Sequence, residues 1–308
     1  MMPELPATSA TAPAGVTHAG MVAVVGKPNA GKSTLLNRIV GQKLSITSPK
    51  PQSTRTRVVG IHSANGAQMV LTDTPGLLEP RYALQKAMRR TALEVLHEAD
   101  VILYLADASE GAPTPLLEAA GLARPPRAPV VTVLNKIDMI PPSRRDQLDI
   151  SCPDARHISA RTGEGVAQLI DEIASRLPES PFLFPEEEIG TQSLRFFVSE
   201  LVRETALEQL DEEVPYSVAC EVEEFREASR PVYIRAVIYV ERESQKGILI
   251  GDGGARIRDM GRSARLKIEK LLDAPVYLDL WVKVLANWRR NVRSLERFGF
   301  TLPQDDRA

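Results

Sequence analysis

Cysteine, unbalanced charge and long apolar runs are all scarce in this sequence of 308 residues. The two cysteines, Cys152 and Cys220, stand far apart with no metal-binding spacing, which favours a reducing compartment. The 38 lysines and arginines nearly balance the 40 acidic residues, so a binding site for a polyanion has to be a local basic patch. No apolar run approaches the ~20 residues that a membrane-spanning helix needs.

The first twenty residues contain no lysine or arginine. They therefore lack both the basic start of a signal peptide and the arginines of an organelle transit peptide. Their content of Ala, Pro and Thr predicts a disordered tail over residues 1–19, on a soluble cytoplasmic protein. The length of the chain predicts two domains after that tail.

Residues 20–180 alternate short apolar runs with amphipathic stretches, and we expect them to form the first domain. The apolar runs are rich in Val, Ile and Leu and end at turn residues, as strands covered on both faces do. They cover residues 21–25, 69–71, 101–106 and 130–134. The helical stretches cover residues 33–41, 82–98, 114–123 and 165–177. This order predicts a doubly wound α/β fold with a mostly parallel sheet.

A proline- and glutamate-rich stretch over residues 181–193 predicts a solvated linker, because proline stops helices. The pattern then changes over residues 194–300. A helix over 194–210 is followed by two alternating strands, the first starting at Tyr216, and by two helices around a glycine-rich turn. A third strand over 276–284 and a helix over 287–298 complete a small α+β domain, with residues 301–308 as a tail.

The most specific motif follows the first predicted strand and leads into a helix, and we expect Thr34, directly after it, to bind the nucleotide as well. It reads Gly26-Lys27-Pro28-Asn29-Ala30-Gly31-Lys32-Ser33. In such a P-loop, the backbone N–H groups of a glycine-rich turn converge on phosphate groups with help from the helix dipole. Lys32 adds a positive charge at the β- and γ-phosphates, and the Ser33 hydroxyl is placed to bind Mg²⁺. A glycine-rich turn without a ligand is the alternative, which this strand–turn–helix context disfavours.

Three further motifs each follow a predicted strand. They are Asp73-Thr74-Pro75-Gly76, Asn135-Lys136-Ile137-Asp138 and Ser159-Ala160. Asp73 stands where an acidic residue holds Mg²⁺ through water. Asp138 can accept two hydrogen bonds from the N1–H and amino group of guanine, a donor pair that adenine lacks. A backbone N–H of the third motif can reach guanine O6. Together they predict binding of GTP and GDP rather than ATP.

The four motifs resemble the G1, G3, G4 and G5 motifs of translation-factor-related GTPases. The resemblance makes Thr54 the G2 residue, whose hydroxyl closes onto Mg²⁺ beside the γ-phosphate, and it assigns catalysis to Lys32, Thr54, Asp73 and Gly76. Ras-like proteins carry a glutamine after the G3 glycine, where this chain has Leu77 within the same nucleotide-binding segment.

An apolar residue at that position is found in several GTPases in which an asparagine of the P-loop binds K⁺. The resemblance therefore carries a hypothesis to Asn29, namely that its side chain binds K⁺ in this chain. A loop-capping asparagine is the alternative.

The second domain contains a stretch that fits the GXXG loop of KH RNA-binding domains. It reads Gly251-Asp252-Gly253-Gly254, and its small residues would let a nucleic-acid backbone approach closely. Arg256 and Arg258 follow directly, and we expect both to contact RNA phosphates. A plain turn between two helices is the alternative.

The charge of this domain is divided along the sequence. Residues 256–297 contain eleven lysines or arginines against five acidic residues, whereas residues 195–255 contain seven against thirteen. That division predicts a basic side. The helix after the loop is expected to bury a stripe of apolar side chains and to leave its arginines free. The stripe is Ile257, Met260, Ala264, Ile268 and Leu271.

One G domain, one KH domain and the segment Pro51-Gln52-Ser53-Thr54-Arg55 resemble the bacterial Era GTPases over about residues 20 to 300. The stretch around Trp281, Trp288 and Gly299 is similar too. The resemblance implies a GTPase that helps to mature the 30S ribosomal subunit and binds near the 3′ end of 16S rRNA. It also implies peripheral association with the inner membrane, and we expect a monomer.

Two positions depart from the family pattern. Ser53 replaces the first residue of a Thr-Thr pair but keeps a hydroxyl, and Asp252 stands where the GXXG loop usually carries a basic residue.

The sequence leaves three alternative functions open. An RNA-binding scaffold with negligible hydrolysis fits the missing glutamine. A GTPase of tRNA modification or with tandem G domains is disfavoured by the single P-loop and the KH pattern, and an ATP-dependent enzyme conflicts with Asp138.

Overall fold

The computed structural model describes residues 16–302. Most of the predicted tails, over residues 1–19 and 301–308, lies outside that range. The first strand begins at His18, two residues before the predicted start of the domain at residue 20. No helix within residues 16–302 is both long enough and apolar enough to cross a membrane.

The N-terminal half forms a six-stranded sheet with helices on both faces. Its elements are β1 (His18–Gly26), α1 (Lys32–Val40), β2 (Val58–Ala64), β3 (Ala67–Asp73), α2 (Ala83–Glu98), β4 (Val101–Asp107), α3 (Leu116–Ala119), β5 (Val130–Asn135), α4 (Pro142–Ser151), β6 (Arg156–His157) and α5 (Val166–Arg176). The strand order is β2-β3-β1-β4-β5-β6, and all neighbours are parallel except β2 with β3. The predicted doubly wound, mostly parallel sheet is confirmed.

The C-terminal half forms a three-stranded sheet with most of its helices packed on one face. Its elements are α6 (Leu194–Gln209), α7 (Val214–Ser217), β7 (Ala219–Arg226), β8 (Val232–Val240), α8 (Glu243–Ile250), α9 (Ala255–Leu272), β9 (Val276–Val284) and α10 (Val292–Arg297). Strand β8 is central, antiparallel to β7 and parallel to β9. The predicted small α+β domain is confirmed.

Two elements of the first domain were not predicted, β2 and α4. Strand β2 pairs with β3 through a tight turn at Asn65-Gly66, in which both residues have positive φ. Asn-Gly is a strong hairpin signal, and it could have revealed β2. The helix predicted over residues 114–123 shrinks to the four residues of α3, because Pro113 and Pro115 stand at its start and Gly121 at its end.

Two boundaries of the second domain also differ from prediction. Tyr216 belongs to α7 rather than to a strand, since Pro215 stands in the first turn of that helix. The last helix begins at Val292 instead of residue 287, because the side chain of Asn291 accepts a hydrogen bond from the Ser294 N–H and caps it there.

Helix α2 joins the two domains through a shared apolar cluster. Leu84, Ala87 and Met88 of α2 pack with Val237, Tyr239 and the fully buried Trp288. The other face of the C-terminal sheet packs on α6, α8 and α9. The first domain therefore packs against one face of the sheet in the second domain.

The linker is anchored to the first domain, whereas its composition predicted a solvated segment. Gln68 is fully buried, and its Oε1 accepts hydrogen bonds from the N–H groups of Leu183 and Phe184 at 2.7 and 3.0 Å. The N–H of Ile61 donates to the carbonyl of Ile189 at 2.9 Å. One buried glutamine thus satisfies backbone groups of a segment that lacks regular structure.

Candidate functional site

A cleft of about 440 Å³ lies at the carboxyl edge of the large sheet. Parallel strands deliver their last residues to one edge, which is why Gly26, Asp73, Asp107 and Asn135 all meet there. The cleft is lined by Pro28, Asn29, Gly31, Lys32, Ser33, Thr34, Ile46, Thr47, Ser48, Pro49, Gln52, Ser53, Thr54 and Lys136. The predicted P-loop residues are therefore brought together with the loop that carries Thr54.

The phosphate-binding loop begins at the end of β1 and leads into α1. Gly31 precedes α1 without a side chain to cap it, so the N–H groups of the first turn are directed at the cleft as an anion site. The Nζ of Lys32 donates to the carbonyls of Gly26 and Lys27 at 3.2 and 2.9 Å. Burial lowers the pKa of Lys32 to about 8, against the opposing charge of Asp73. Lys32 is thus held over the loop as a point charge.

Three oxygen atoms converge beside Lys32. The Ser33 Oγ lies 2.9 Å from the Thr54 Oγ1 and donates to the Asp73 Oδ2 at 2.7 Å, while Thr54 donates to the same oxygen at 3.2 Å. Asp73 is fully buried, and its Oδ1 has no hydrogen-bond partner among the described residues. Burial raises the pKa of Asp73, although Lys32 and both hydroxyls act against that rise.

This oxygen set fits Mg²⁺. Mg²⁺ prefers hard oxygen ligands and is usually held by one or two protein groups together with substrate phosphates and water. A buried carboxylate with one unsatisfied oxygen supplies the negative charge. Residues 16–302 contain no cluster of three or more His, Cys, Asp or Glu side chains that would form an all-protein metal cage.

The loop over residues 46–53 contributes cleft residues that the sequence analysis missed. Ile46, Ser48, Pro49 and Gln52 line the cleft beside the predicted Thr54. A polar loop without periodicity carries no local signal for such a role. Asn29 ties this loop to the P-loop, because its Nδ2 donates to the carbonyl of Pro49 at 2.9 Å.

The G3 segment, residues 73–77, lies partly beside the P-loop and partly in the apolar core. A Cβ atom on Gly76 would lie 2.6 Å from the backbone nitrogen of Pro28, so this close approach to the P-loop requires glycine. The Thr74 hydroxyl donates to the carbonyl of Val24 at 2.9 Å. The side chain of Leu77 is buried in the apolar cluster with Val25. The side chain of Leu77 therefore faces the core, and the nucleotide contact predicted at this position stays a prediction that involves only its backbone.

Asp138 and Asn135 have different tasks. The Asp138 Oδ1 accepts from the Ser159 Oγ at 2.5 Å and the Oδ2 accepts from the Arg161 Nε at 3.0 Å. Asn135 is buried, and its Nδ2 donates to the carbonyl of Ala30 at 2.8 Å. Asn135 therefore joins the P-loop to the Ser159-Ala160 motif, while Ser159 and Arg161 hold the Asp138 carboxylate. Lys136 lies between them in the cleft and pairs with Asp107 at 2.7 Å.

The predicted donor to guanine O6 is not free in this structure. The N–H of Ala160 donates to the Asn135 Oδ1 at 2.9 Å, and the N–H of Ser159 donates to the carbonyl of Glu164 at 2.9 Å. The contact of either N–H group with guanine O6 stays a prediction, and it requires that group to exchange its partner in this structure for the base.

The glycine-rich stretch of the second domain forms the exposed connection between α8 and α9. Gly251, Gly253 and Gly254 all have positive φ, and Asp252 is exposed. Arg258 is exposed on α9, but the Nη1 of Arg256 donates back to the carbonyl of Ile248 at 3.1 Å. The stretch joins two helices, both flanking arginines are exposed, and one hydrogen bond holds Arg256 back against α8.

The predicted charge division and core stripe need corrections. Lys267, Lys283, Arg289 and Arg297 pair with Glu208, Glu223, Glu241 and Glu221 of the acidic half, so part of the basic excess is neutralised within the domain. On α9, Met260, Ala264 and Ile268 are buried as predicted, whereas Leu271 is 38% exposed. The helix turns Leu272 toward the core in its place.

The sheet, the P-loop and the G motifs define a GTP-hydrolysing P-loop protein with a C-terminal KH domain. Residues 21–136 match the family described as 50S ribosome-binding GTPase, and residues 213–289 match the KH domain family.

Relatives and solved structures cover nearly the whole chain. GTPase Era of Carboxydothermus hydrogenoformans is 42% identical over 92% of this chain and 97% of that protein. A structure of Era in complex with MgGDPNP and nucleotides 1506–1542 of 16S rRNA is 41% identical, with a TM-score of 0.86 over 93% of this chain and 100% of that one. A single-residue variant of Aquifex aeolicus Era bound to GDP and AlF4⁻ has a TM-score of 0.85 at 40% identity, over 93% of this chain and 100% of that one. The chain belongs to the GTPase Era family and is a hydrolase acting on GTP.

Proposed function

We propose that this GTPase binds single-stranded rRNA near the 3′ end of 16S rRNA and assists assembly of the 30S ribosomal subunit. One observation carries the proposal: a cleft lined by P-loop residues and Thr54 occurs together with a GXXG loop in one chain, and the fold of that chain matches Era bound to MgGDPNP and 16S rRNA nucleotides. The working units are a G domain over residues 20–180, a linker over 181–193 and a KH domain over 194–300.

Different residues around the cleft have different roles in GTP hydrolysis. Lys32 and the N–H groups of α1 bind the phosphates, which is a task of positioning and charge stabilisation. Ser33 and Thr54 would hold Mg²⁺ directly and Asp73 through water, and the ion supplies charge neutralisation at the phosphate oxygens when bound. Gly76 brings the G3 backbone against the P-loop.

Potassium is proposed as a second cation at Asn29. The side chain of Leu77 is buried and apolar, so it cannot act as the glutamine that orients the attacking water in Ras-like proteins. The bond from the Asn29 Nδ2 to Pro49 fixes the amide, and its Oδ1 is an oxygen ligand of the type that K⁺ accepts.

RNA binding is assigned to the loop of Gly251, Asp252, Gly253 and Gly254 with Arg256 and Arg258. Their exposure and the positive φ of the glycines support close approach of an RNA backbone. The cytoplasm as the place of action stays a prediction from the N-terminal composition, peripheral membrane association stays a prediction from the family resemblance, and the monomeric state stays an expectation.

A binding experiment tests the proposal. RNA corresponding to nucleotides 1506–1542 of 16S rRNA is titrated into the full chain loaded with a GTP analogue or with GDP, and the same states are used to capture 30S subunits. We expect RNA and 30S binding, with a shuffled RNA of equal length binding at least tenfold more weakly. Equal affinity for the two RNAs would contradict the proposed ligand.

A further inference from the structure

The loop that carries Thr54 is held by the second domain as well as by the first. Lys50 and Arg55 of the loop reach into the C-terminal half, and Arg203 of α6 reaches back. All three interactions run from a cationic side chain to backbone carbonyl groups. Such charge-assisted hydrogen bonds are stronger than neutral ones and fix the direction of the backbone.

Arg55 makes the most extensive of these interactions. It is only 5% exposed, and its guanidinium donates to the carbonyls of Val218 at 2.5 Å, Tyr216 at 3.1 Å and Pro215 at 3.4 Å. These carbonyls belong to the end of α7 and the residue after it, where helix carbonyls lack partners within the helix. The guanidinium also lies 5.8 Å from the centre of the Trp288 ring.

Trp288 binds a neighbouring carbonyl of the same helix end. It is fully buried, and its Nε1 donates to the carbonyl of Ser217 at 2.7 Å. Burial lowers the pKa of Arg55 to about 9, and the charge of Arg203 acts in the same direction. A buried cation is tolerated only where its acceptors are in place, so Arg55 specifies one arrangement of loop and α7.

The residues on either side of Thr54 are fixed in the same way. The Nη2 of Arg203 donates to the carbonyl of Ser53 at 2.5 Å while Glu200 holds the guanidinium. The Nζ of Lys50 donates to the carbonyl of Leu207 at 2.8 Å, at the end of α6. Thr54 is therefore bracketed by Ser53 and Arg55, and both are bonded to the second domain.

We propose that Arg55 is a positioning residue for GTP hydrolysis, through which the C-terminal domain sets the place of the Thr54 hydroxyl. Arg55 does not line the cleft. It acts on the adjacent residue, whose Oγ1 lies 2.9 Å from the Ser33 Oγ. The inference rests on the role proposed for Thr54 above.

The test compares Arg55→Ala and Arg55→Lys with Arg57→Ala in the full chain. Arg57 belongs to the same segment, but its side chain is 57% exposed and pairs with Glu98 of the first domain at 3.2 Å. Arg55→Ala is expected to lower kcat for GTP by roughly 10- to 100-fold, the scale of an ångström-sized misplacement of a reacting group. KM and GDP affinity should stay within about twofold in all three variants. Arg55→Lys should recover part of kcat because it keeps a cation, and Arg57→Ala should match the parent chain.

A double-mutant cycle with Thr54→Ala separates positioning from a general structural role. If Arg55 acts through Thr54, the double variant should hydrolyse GTP no more slowly than Thr54→Ala alone. If the losses in kcat of the two single variants multiply in the double variant, the proposal is overturned. An unchanged kcat in Arg55→Ala would overturn it as well. An unchanged kcat in Thr54→Ala itself would instead contradict the role of Thr54. If Arg55→Ala does not fold, as the loss of its thermal transition would show, the test uses Arg55→Lys instead. A fall in the kcat of Arg55→Lys at unchanged GDP affinity supports a positioning role for Arg55. An unchanged kcat in this variant overturns the proposal.

Discussion

The Oγ of Ser159 lies 2.5 Å from the Oδ1 of Asp138 and donates its hydrogen to that carboxylate. Arg161 donates to the other oxygen. The Ser159 bond and the Arg161 charge hold the pKa of Asp138 below its ordinary value. The group is therefore ionised throughout the neutral range, and Ser159 fixes the orientation of its acceptor oxygens.

Asp138→Asn is expected to change nucleotide preference from GTP to xanthosine triphosphate. Xanthine carries an oxygen where guanine has its amino group, so an amide donor at this position suits xanthine and an acceptor suits guanine. Competition of the two nucleotides for the variant and the parent chain measures the change. An unchanged preference would show that Asp138 does not contact the base.

Lys32→Ala is expected to weaken binding of GTP and GDP by about 1.5–3 kcal/mol, the usual contribution of a charge-assisted hydrogen bond. Titration calorimetry gives the affinities. Lys27→Ala is the matched control, because Lys27 belongs to the same loop but is 56% exposed and pairs with Glu110 at 3.5 Å. Equal losses of nucleotide affinity in Lys32→Ala and Lys27→Ala would show that the position of Lys32 over the loop does not contribute to phosphate binding.

GTP hydrolysis is expected to be faster in K⁺ than in Na⁺, by on the order of tenfold or more if the ion stabilises transition-state charge. Asn29→Ala should remove the difference between the two salts and leave GDP binding nearly intact. Phosphate release at matched ionic strength measures both effects. Equal rates in the two salts would dismiss a K⁺ site at Asn29.

Asp252→Lys is expected to tighten RNA binding, because it replaces a charge that repels phosphate. Gly253→Asp should weaken binding through added bulk and charge. A Cβ on Gly253 meets nothing within 4 Å, but the φ of +52° disfavours a side chain there, so an unchanged thermal transition has to accompany the loss of RNA affinity. For single-stranded RNA, a lysine that neutralises one further phosphate should steepen the slope of log affinity against log salt by about 0.7.

Glu227→Lys serves as the control for these loop variants. Glu227 is exposed in the turn between β7 and β8, and its replacement makes the same charge change as Asp252→Lys outside the loop. The nucleotide affinity of the first domain should be the same in all variants. If Asp252→Lys and Gly253→Asp both leave RNA affinity untouched, the glycine-rich stretch is only a turn.

The sequence alone determined the class of the site because its signals are local. A P-loop needs particular residues at fixed spacing between a strand and a helix, so Gly26 to Ser33 could be recognised without tertiary structure. The Asp138 carboxylate and the GXXG loop were found in the same way. Even β2 had a local signal in its Asn-Gly turn.

Only the tertiary structure decided which side chains face the cleft and which face the core. Leu77 and Asn135 belong to nucleotide motifs, yet one packs in the core and the other joins two loops, since burial depends on the packing of distant elements. The hydrogen bonds of Arg55 to carbonyls 160 or more positions away could not be predicted. Residue type shows that an arginine needs acceptors, but the relative placement of the two domains determines where those acceptors are.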